Sequence, residues 1–320
     1  ELLSNSLKLE EILPVVESIT EIPPLIQPEV SPQIEEAPLS QTPSEREPLP
    51  VPIPAEYQAP IIEETMSGQA KVGFPTYGAG LIKNSTQLSD EEVCQIASET
   101  HQLTLTSGGP QVLIYHTHAT ESFEPYDSTI YDTRNTWRST DNTENMVAVG
   151  DALCAAIEAH GIGVIHDTTL HDYPSYDEAY DAARASAESY LAEYPGIRLI
   201  LDLHRDAADT ADGQLRTAAQ LNGQTAAQLM LVMGTTASGG KHPDWERNLS
   251  LGLKLHAQLE RQAEGITRPL QLRAQRFNQD LADIALLVEV GSAGNTLQEA
   301  LTAIPILADA IIALKNGANW

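Results

Sequence analysis

Short apolar runs of strand type alternate with longer helical patterns along most of the chain. The runs are nearly continuous in hydrophobic residues, which is typical of strands buried on both faces. The predicted strands are residues 112–116, 163–167, 198–203, 229–234, 270–275 and 285–290. The predicted helices are residues 143–160, 176–193, 244–263 and 296–315. This alternation predicts an α/β fold whose mainly parallel, twisted sheet carries helices on both faces.

The beginning of the chain has a different pattern. Residues 1–64 hold 12 of the 20 prolines and 13 glutamates, and proline lacks the amide donor that a helix interior or a sheet ladder needs. We therefore expect residues 1–85 to be a disordered Pro/Glu-rich linker and residues 86–320 to be one catalytic domain. No apolar run approaches the roughly 20 residues of a membrane-spanning helix, so we expect the chain as given to be soluble.

The charge of the chain narrows the choice of partners. The formal net charge is −27, and a surface this negative repels nucleic acid and anionic lipid. We therefore expect no nucleic-acid partner.

Three of the predicted strands end in side chains that carry chemistry. In chain order these side chains are His116, His118, Glu121, His204, Arg205, Asp206, Glu289 and Asn295. In open α/β sheets, ligands bind at the carboxyl ends of the strands. Because these ends share one edge of a parallel sheet, we expect the side chains to converge. On a continuing strand, His116 and His118 would face the same side.

Two imidazoles and one carboxylate form a set that suits zinc, which in catalytic sites takes three protein ligands and leaves a fourth position to water. Zinc lowers the pKa of that water, and a second carboxylate that is not a ligand can accept its proton. Glu289 suits this second role. Arg205 is a candidate for holding a substrate carboxylate or for stabilising the tetrahedral intermediate. His166 and Tyr176 follow the second strand and are candidates for lining the same cleft.

Five stretches of the chain together resemble the stage II sporulation protein P family. They are LIYHTHATESF, HDTTLHDYPSYDEAY, LILDLHRDA, KHPDWERNL and RFNQDLADIALLVEVGSAGNTLQEA, and the resemblance covers about residues 108–315. The family consists of cell-wall hydrolases of endospore-forming bacteria that are related to zinc-dependent N-acetylmuramoyl-L-alanine amidases. The resemblance implies a phosphorylase/hydrolase-like α/β domain that cleaves the amide between N-acetylmuramic acid and L-alanine of the peptidoglycan stem peptide. Peptide cross-links are a second possible target.

The resemblance also implies roles for individual residues. It favours His118 over His116 as the first zinc ligand, makes His204 the second, and makes Glu289 the catalytic carboxylate. The third ligand is Glu121, which lies inside the sporulation motif, or else Glu144, which begins the following helix. The choice between the two histidines, like the choice between the two glutamates, stays open at this point.

The resemblance further implies where and with what the protein works. The partners it implies are peptidoglycan, stage II sporulation protein D and the membrane protein M of the same complex, acting during engulfment of the forespore. It implies a place outside the cytoplasm, at the membrane or septum, through an N-terminal anchor absent from this chain. The competing interpretation is a non-catalytic module that binds the wall or acts as a scaffold with the same fold.

Overall fold

The computed structural model describes residues 51–315, which form two β-sheets and five α-helices. The strands are β1 (Gln58–Glu64), β2 (Thr76–Tyr77), β3 (Gly80–Asn84), β4 (Pro110–Tyr115), β5 (Ile130–Asp132), β6 (Gly163–His166), β7 (Leu199–Asp206), β8 (Asp209–Thr210), β9 (Gly213–Leu221), β10 (Gln224–Ala227), β11 (Leu229–Gly234), β12 (Leu270–Arg273) and β13 (Ala285–Ser292). The helices are α1 (Asp90–Ala97), α2 (Met146–Glu158), α3 (Ala179–Glu193), α4 (Trp245–Gln262) and α5 (Leu297–Lys315).

The larger sheet has eight strands in the order β2-β3-β12-β11-β13-β7-β4-β6. All six predicted strands belong to it, and the four predicted helices correspond to α2–α5. The sheet is mixed rather than mainly parallel, because β11 runs antiparallel to β13 and β2 runs antiparallel to β3. Strand β13 follows β12 without a crossover helix, so the chain returns in the opposite direction and β13 pairs antiparallel with β11, which lies between the two strands in the sheet.

The predicted start of the folded domain at residue 86 is too late. Strands β2 and β3 extend the larger sheet, while β1 belongs to a second, five-stranded mixed sheet that also contains β5 and β8–β10. Pro60 is tolerated inside β1 because it lies where the pairing changes: residues up to Pro60 pair with β5, and Ile61 onwards pairs with β9. The high proline content therefore concealed an ordered strand. Residues 1–50 of the predicted linker and residues 316–320 of the predicted domain lie outside the described residues.

Side-chain alternation along the strands separates the two faces of the larger sheet. Leu199, Leu201 and Leu203 of β7 pack in a core with residues of α2, α4 and α5. Ile200 faces the other way and packs with Ala183 and other residues of α3. Helices thus cover both faces. Along β7, odd-numbered side chains point to the face covered by α2, α4 and α5, and even-numbered side chains point to the face covered by α3.

Helix α5 is long and apolar enough to cross a membrane by length and composition alone, with 19 residues and a mean hydropathy of 1.6. The sequence expectation named no such run. In the structure, Leu307 and Ile311 of α5 are buried in the main core. Glu299 in its first turn forms an ion pair with Arg216 of β9. Packing inside the fold therefore accounts for the apolar character of this helix.

A hydrogen bond to the side chain of His256 joins β3 to α4. The Nε2 atom of His256 accepts this bond from the backbone N–H of Leu81 at 3.1 Å. A Cβ atom on Gly80 would lie 2.0 Å from the ring, so only glycine fits beside it. Burial lowers the pKa of His256 from 6.5 to about 4. The folded protein therefore holds this ring in its neutral form.

We expect the free energy of unfolding to fall as the pH drops from 6.5 towards 4. In this range His256 is protonated in the unfolded chain but stays neutral in the folded protein. The variant His256→Gln keeps an acceptor for the Leu81 amide but does not titrate. Its slope of unfolding free energy against pH should be shallower by up to about 1.4 kcal/mol per pH unit in this window. Urea unfolding at several pH values measures both slopes, and parallel slopes would contradict the assignment.

Candidate active site

The ends of three neighbouring strands bring four of the predicted site residues together. Strands β13, β7 and β4 are parallel neighbours, and Glu289 lies opposite His204 in their register. The ring centroids of His118 and His204 are 5.3 Å apart. Glu121 Oε2 lies 3.7 Å from His204 Nδ1. We call His118, Glu121, His204 and Glu289 the His–Glu cluster.

Asp202 holds the turn after β4 against β7. Its carboxylate accepts hydrogen bonds from the backbone N–H of Thr117 at 2.9 Å and from the Thr117 hydroxyl at 2.7 Å. Its Oδ1 atom also lies 2.9 Å from Nε2 of His204. Asp202 is 2% exposed, so these contacts replace the water that it gives up on folding. They fix the His204 ring with Nδ1 directed towards Glu121.

Asp172 anchors the backbone near His118 in the way that Asp202 does near His204. Its carboxylate accepts hydrogen bonds from the Thr120 N–H at 3.1 Å and from the Thr120 hydroxyl at 2.6 Å. It also accepts one from Arg138 at 2.7 Å and lies 3.9 Å from His118 Nδ1. The threonines of the HTHATE stretch therefore anchor its backbone to two buried aspartates, while His118 and Glu121 are presented to the cluster.

Burial and neighbouring charges together set the pKa values of the side chains in the cluster. Burial disfavours the charged form of His204, but Asp202, Glu289 and Glu121 outweigh it and raise the pKa of His204 to about 10. Burial raises the pKa of Glu289 to about 8; the His204 charge opposes this shift and the Asp206 and Glu121 charges add to it. Burial, together with the His204 charge, lowers the pKa of His118 to about 4. Without a metal ion, the cluster thus holds its protons on His204 and Glu289.

The donor set suits zinc in chemical type. Two imidazoles with one carboxylate form a common catalytic zinc set, and three buried atoms of the cluster, His118 Nδ1, His204 Nε2 and Glu289 Oε2, lack a hydrogen-bond partner. Donor atoms of a tetrahedral zinc ion lie about 3.3 Å apart, and the Glu121–His204 separation is close to that. Across residues 51–315, however, no group of three or more His, Cys, Asp or Glu side chains is already arranged to hold an ion.

Three arginines surround the cluster, and only one has an accessible side chain. Arg138 is 32% exposed and lies 3.5 Å from Glu121. Arg205 is buried and donates from Nη2 to the Trp137 carbonyl at 2.8 Å, while its backbone N–H donates to Glu121. Arg268 is buried and pairs with Asp206 at 2.6 Å. The structure therefore gives Arg205 an anchoring position, in contrast to the substrate contact expected from the sequence, and makes Arg138 the cation that a substrate can reach.

His116 and His166 lie on the other face of the sheet, against α2. His116 Nδ1 is 3.0 Å from the Leu203 carbonyl oxygen, and its Nε2 is 2.9 Å from His166 Nε2. His166 Nδ1 in turn lies 2.9 Å from Asp151 Oδ1. Strand β4 ends at Tyr115, so the turn that follows directs His116 and His118 to opposite faces. The sequence led us to expect His166 in the cleft, but the structure places it on the opposite face of the sheet.

Asn295 and Glu144 also lie away from the cluster. Asn295 is fully buried and bonds to β9, β13 and α5, where its Oδ1 accepts from the Ser292 N–H at 2.9 Å. Glu144 is exposed and accepts a hydrogen bond from Ser139. Tyr176 does reach the site, because its ring stacks on His118 at 4.4 Å. Between the two candidate third ligands, the structure thus brings Glu121 to the histidines.

Sequence reasoning missed Arg138, Asp172 and Tyr180. Tyr180, in the first turn of α3, lies edge-on to His118 with ring centroids 5.7 Å apart. All three residues come from segments outside the strands whose ends drew attention to the site. Asp172 lies inside one of the family-like stretches, but nothing in its spacing marks it as a partner of Thr120 and His118.

Comparison with known proteins identifies a family. The family model for stage II sporulation protein P (SpoIIP) matches residues 57–312. Stage II sporulation protein P of Bacillus subtilis (strain 168) is 30% identical over 216 residues, which cover 64% of this chain and 51% of that protein. The chain therefore spans about half the length of this curated relative.

Solved structures of amidases also align with the chain. N-acetylmuramoyl-L-alanine amidase AmiC2 of Nostoc punctiforme aligns with a TM-score of 0.39 at 13% identity and covers 66% of this chain and 98% of its own. Ami1 from Mycobacterium smegmatis aligns with a TM-score of 0.39 at 11% identity, covering 66% and 100%. The CwlD amidase from Clostridioides difficile, solved in complex with the GerS lipoprotein, aligns with a TM-score of 0.37 at 15% identity, covering 65% and 95%.

We expect Asp202→Asn to lower the pKa of His204 from about 10, because Asp202 is the largest of the charges that oppose the effect of burial on this ring. NMR titration of the histidine rings in metal-free protein measures the shift. Asp172→Asn is the matched control: it removes a buried aspartate beside His118 and should leave His204 protonated at neutral pH. A His204 pKa that stays near 10 in Asp202→Asn would show that Asp202 is not its main partner.

Proposed function

The chain belongs to the stage II sporulation protein P family, and from that premise we propose that it is a peptidoglycan hydrolase that cleaves the amide between N-acetylmuramic acid and L-alanine. One observation carries the proposal: His118, Glu121, His204 and Glu289 meet at the ends of three adjacent strands. Two imidazoles, a ligand carboxylate and a further carboxylate are what metal-assisted amide hydrolysis requires.

We propose Zn²⁺ as the cofactor and His118, Glu121 and His204 as the residues that would hold it. When bound, zinc supplies Lewis-acid chemistry that makes a water molecule more acidic. Asp202 supports the role of His204, since a carboxylate on one imidazole nitrogen orients the ring and makes the other nitrogen a better donor. Asp172 lies on the corresponding side of His118.

Glu289 is the group that we propose moves the proton. It lies opposite His204, is not needed as a ligand, and has a buried oxygen without a hydrogen-bond partner. The carboxylate form accepts a proton from water, and the resulting acid delivers it to the nitrogen of the departing L-alanine. A pKa of about 8 in the metal-free protein is near neutral, which suits a group that must both take up and release a proton.

Arg138 and Tyr176 are proposed to meet the substrate. The Arg138 guanidinium lies 4.9 Å from the Tyr176 ring centroid, and Tyr176 itself stacks on His118. Arg138 is therefore placed to stabilise the negative charge that develops on the amide oxygen. Arg205 acts on it indirectly, because its bond to the Trp137 carbonyl holds the residue that precedes Arg138.

Family membership alone supports the wider role. We propose that the protein works during engulfment of the forespore, outside the cytoplasm, attached to the membrane or septum through an N-terminal anchor. Stage II sporulation protein D and the membrane protein M are the proposed partners. Cleavage of peptide cross-links is proposed as a second activity of the same site.

Replacing Glu289 with Gln is expected to lower kcat for the amide by about 10²- to 10⁴-fold, because the amide side chain cannot accept the proton. Zinc content and peptidoglycan binding should remain. Mass spectrometry of muropeptides released from purified wall measures the cleaved bond directly. If the unaltered chain binds the wall and releases no peptides, it is the non-catalytic module instead.

Glu121→Gln is expected to reduce bound zinc, whereas Glu144→Gln should retain it, because only Glu121 lies beside His204. Elemental analysis after dialysis gives the zinc content of each variant. The two substitutions make the same chemical change at carboxylates near the two ends of the 122–144 segment. Loss of zinc from Glu144→Gln alone would make Glu144 the third ligand.

A further inference from the structure

A short antiparallel pairing of residues 137–139 with residues 120–122 places Arg138 beside the cluster. Two backbone hydrogen bonds, of 2.9 and 2.8 Å, join the two stretches, and Arg138 lies between these bonds, directly opposite Glu121. Side chains at such opposed positions are close together on one face of the pair. The pairing therefore brings the Arg138 guanidinium to Glu121, and the backbone of residue 137 decides where it begins.

Trp137 has a backbone conformation that a bulky residue rarely adopts. Its φ is +49°, in the left-handed region, where such a residue stays only if its surroundings hold it there. Its N–H donates to Asn135 Oδ1 at 2.9 Å, and its carbonyl accepts from Arg205 Nη2 at 2.8 Å. The same carbonyl accepts the Ser122 N–H at 2.9 Å. The strained residue thus supplies one of the two hydrogen bonds on which the Arg138 pairing depends.

Two contacts hold the Trp137 ring. Its Nε1–H donates to Glu124 Oε1 at 2.6 Å. Glu124 is only 6% exposed, and its backbone N–H donates to the Asn295 carbonyl at 2.8 Å, in the turn after β13. The Tyr131 ring lies 5.2 Å from the Trp137 ring, measured between centroids, and belongs to β5, which pairs with β1. The ring is therefore fixed both to the larger sheet and to the second sheet.

We propose that Trp137 is a positioning residue for Arg138. Its ring, held by Glu124 and Tyr131, fixes the backbone that carries Arg138 to the cluster. The inference rests on the proposed function, in which Arg138 stabilises the negative charge that develops on the amide oxygen. A cation that is already in place before the reaction needs no reorganisation at the moment when that charge appears. Trp137 acts on the reaction through Arg138 alone.

Trp137→Gly tests the proposal, because glycine accepts the left-handed backbone and removes only the ring. We expect kcat to fall by about 10- to 100-fold with KM nearly unchanged, since Arg138 acts on charge that exists only in the transition state. Tyr131→Ala should cause a smaller loss in the same direction, because the bond from Trp137 to Glu124 remains. Hydrolysis of a soluble peptidoglycan fragment by the full, zinc-loaded chain measures both constants.

A double-mutant cycle separates positioning from a general loss of structure. In an Arg138→Ala background, Trp137→Gly should cause no further loss of kcat, because the side chain that it positions is already absent. Multiplication of the two losses would overturn the proposal. Asn222→Gly is the matched control: Asn222 has a φ of +51°, is exposed, and lies in the turn between β9 and β10. Its kcat should equal that of the unaltered chain.

Amide hydrogen exchange in the metal-free chain, followed by NMR, tests the positioning without hydrolysis. The Ser122 N–H should exchange faster in Trp137→Gly, because the Trp137 carbonyl is its acceptor. The Leu201 N–H in β7 should stay protected, and Asn222→Gly should change neither amide. Unchanged protection of Ser122 in Trp137→Gly would overturn the proposal. If Leu201 also loses protection, the fold is disturbed, and Tyr131→Ala then carries the same tests.

The two proposals fail separately. Faster exchange at Ser122 in a chain that cleaves no amide would support the positioning of Arg138 and refute the amidase. Amide cleavage that Trp137→Gly leaves unchanged would do the reverse.

Discussion

The site depends on one buried carboxylate, that of Asp202. A carboxylate removed from water is costly unless its lone pairs are satisfied, and here Thr117 and His204 satisfy them. The same contacts join the turn after β4 to the end of β7 and set the orientation of the His204 ring. Glu121 then reaches His204 because the turn that carries it begins at Thr117. If Asp202 were apolar, the two strands would still pair, but the turn after β4 would lose both hydrogen bonds from Thr117 and the His204 ring would lose its contact at Nε2.

Charge gives the cluster its second constraint. Glu121 and Asp202 are buried beside Glu289 and Asp206, and in the metal-free protein the protons on His204 and Glu289, together with the guanidinium groups of Arg138 and Arg268, offset their charge. A divalent cation would displace the proton from His204 and lower the pKa of Glu289. The concentration of carboxylates around two imidazoles is thus the feature that suits the cluster to a metal and to proton transfer.

The fold separates roles by the face of the sheet. His116 and His166 face α2 and bond to each other, while His118 and His204 face the cleft. Gly150 of α2 is needed for this packing, because a Cβ atom there would lie 2.3 Å from the His166 ring. On the cleft side, the long segment between β4 and α2 supplies Arg138, which contacts Glu121 and Asp172. The cluster itself comes from strand ends and from the turn after β4.

The sequence by itself determined the six main strands and the four long helices, and it indicated that side chains at the ends of three strands converge, while leaving open the choices between His116 and His118 and between Glu121 and Glu144. Local patterns carry this information, because hydrophobic periodicity marks the elements and strand ends share an edge. Local patterns did not predict the second sheet, because β1 lies in a proline-rich segment and pairs with β9, more than 150 residues away. Only the tertiary structure decided that Arg205 anchors and Arg138 is accessible, that His116 turns away, and that Asp172 and Asp202 hold the histidines. These outcomes depend on contacts between distant segments, and no local pattern encodes which side chains such contacts will join.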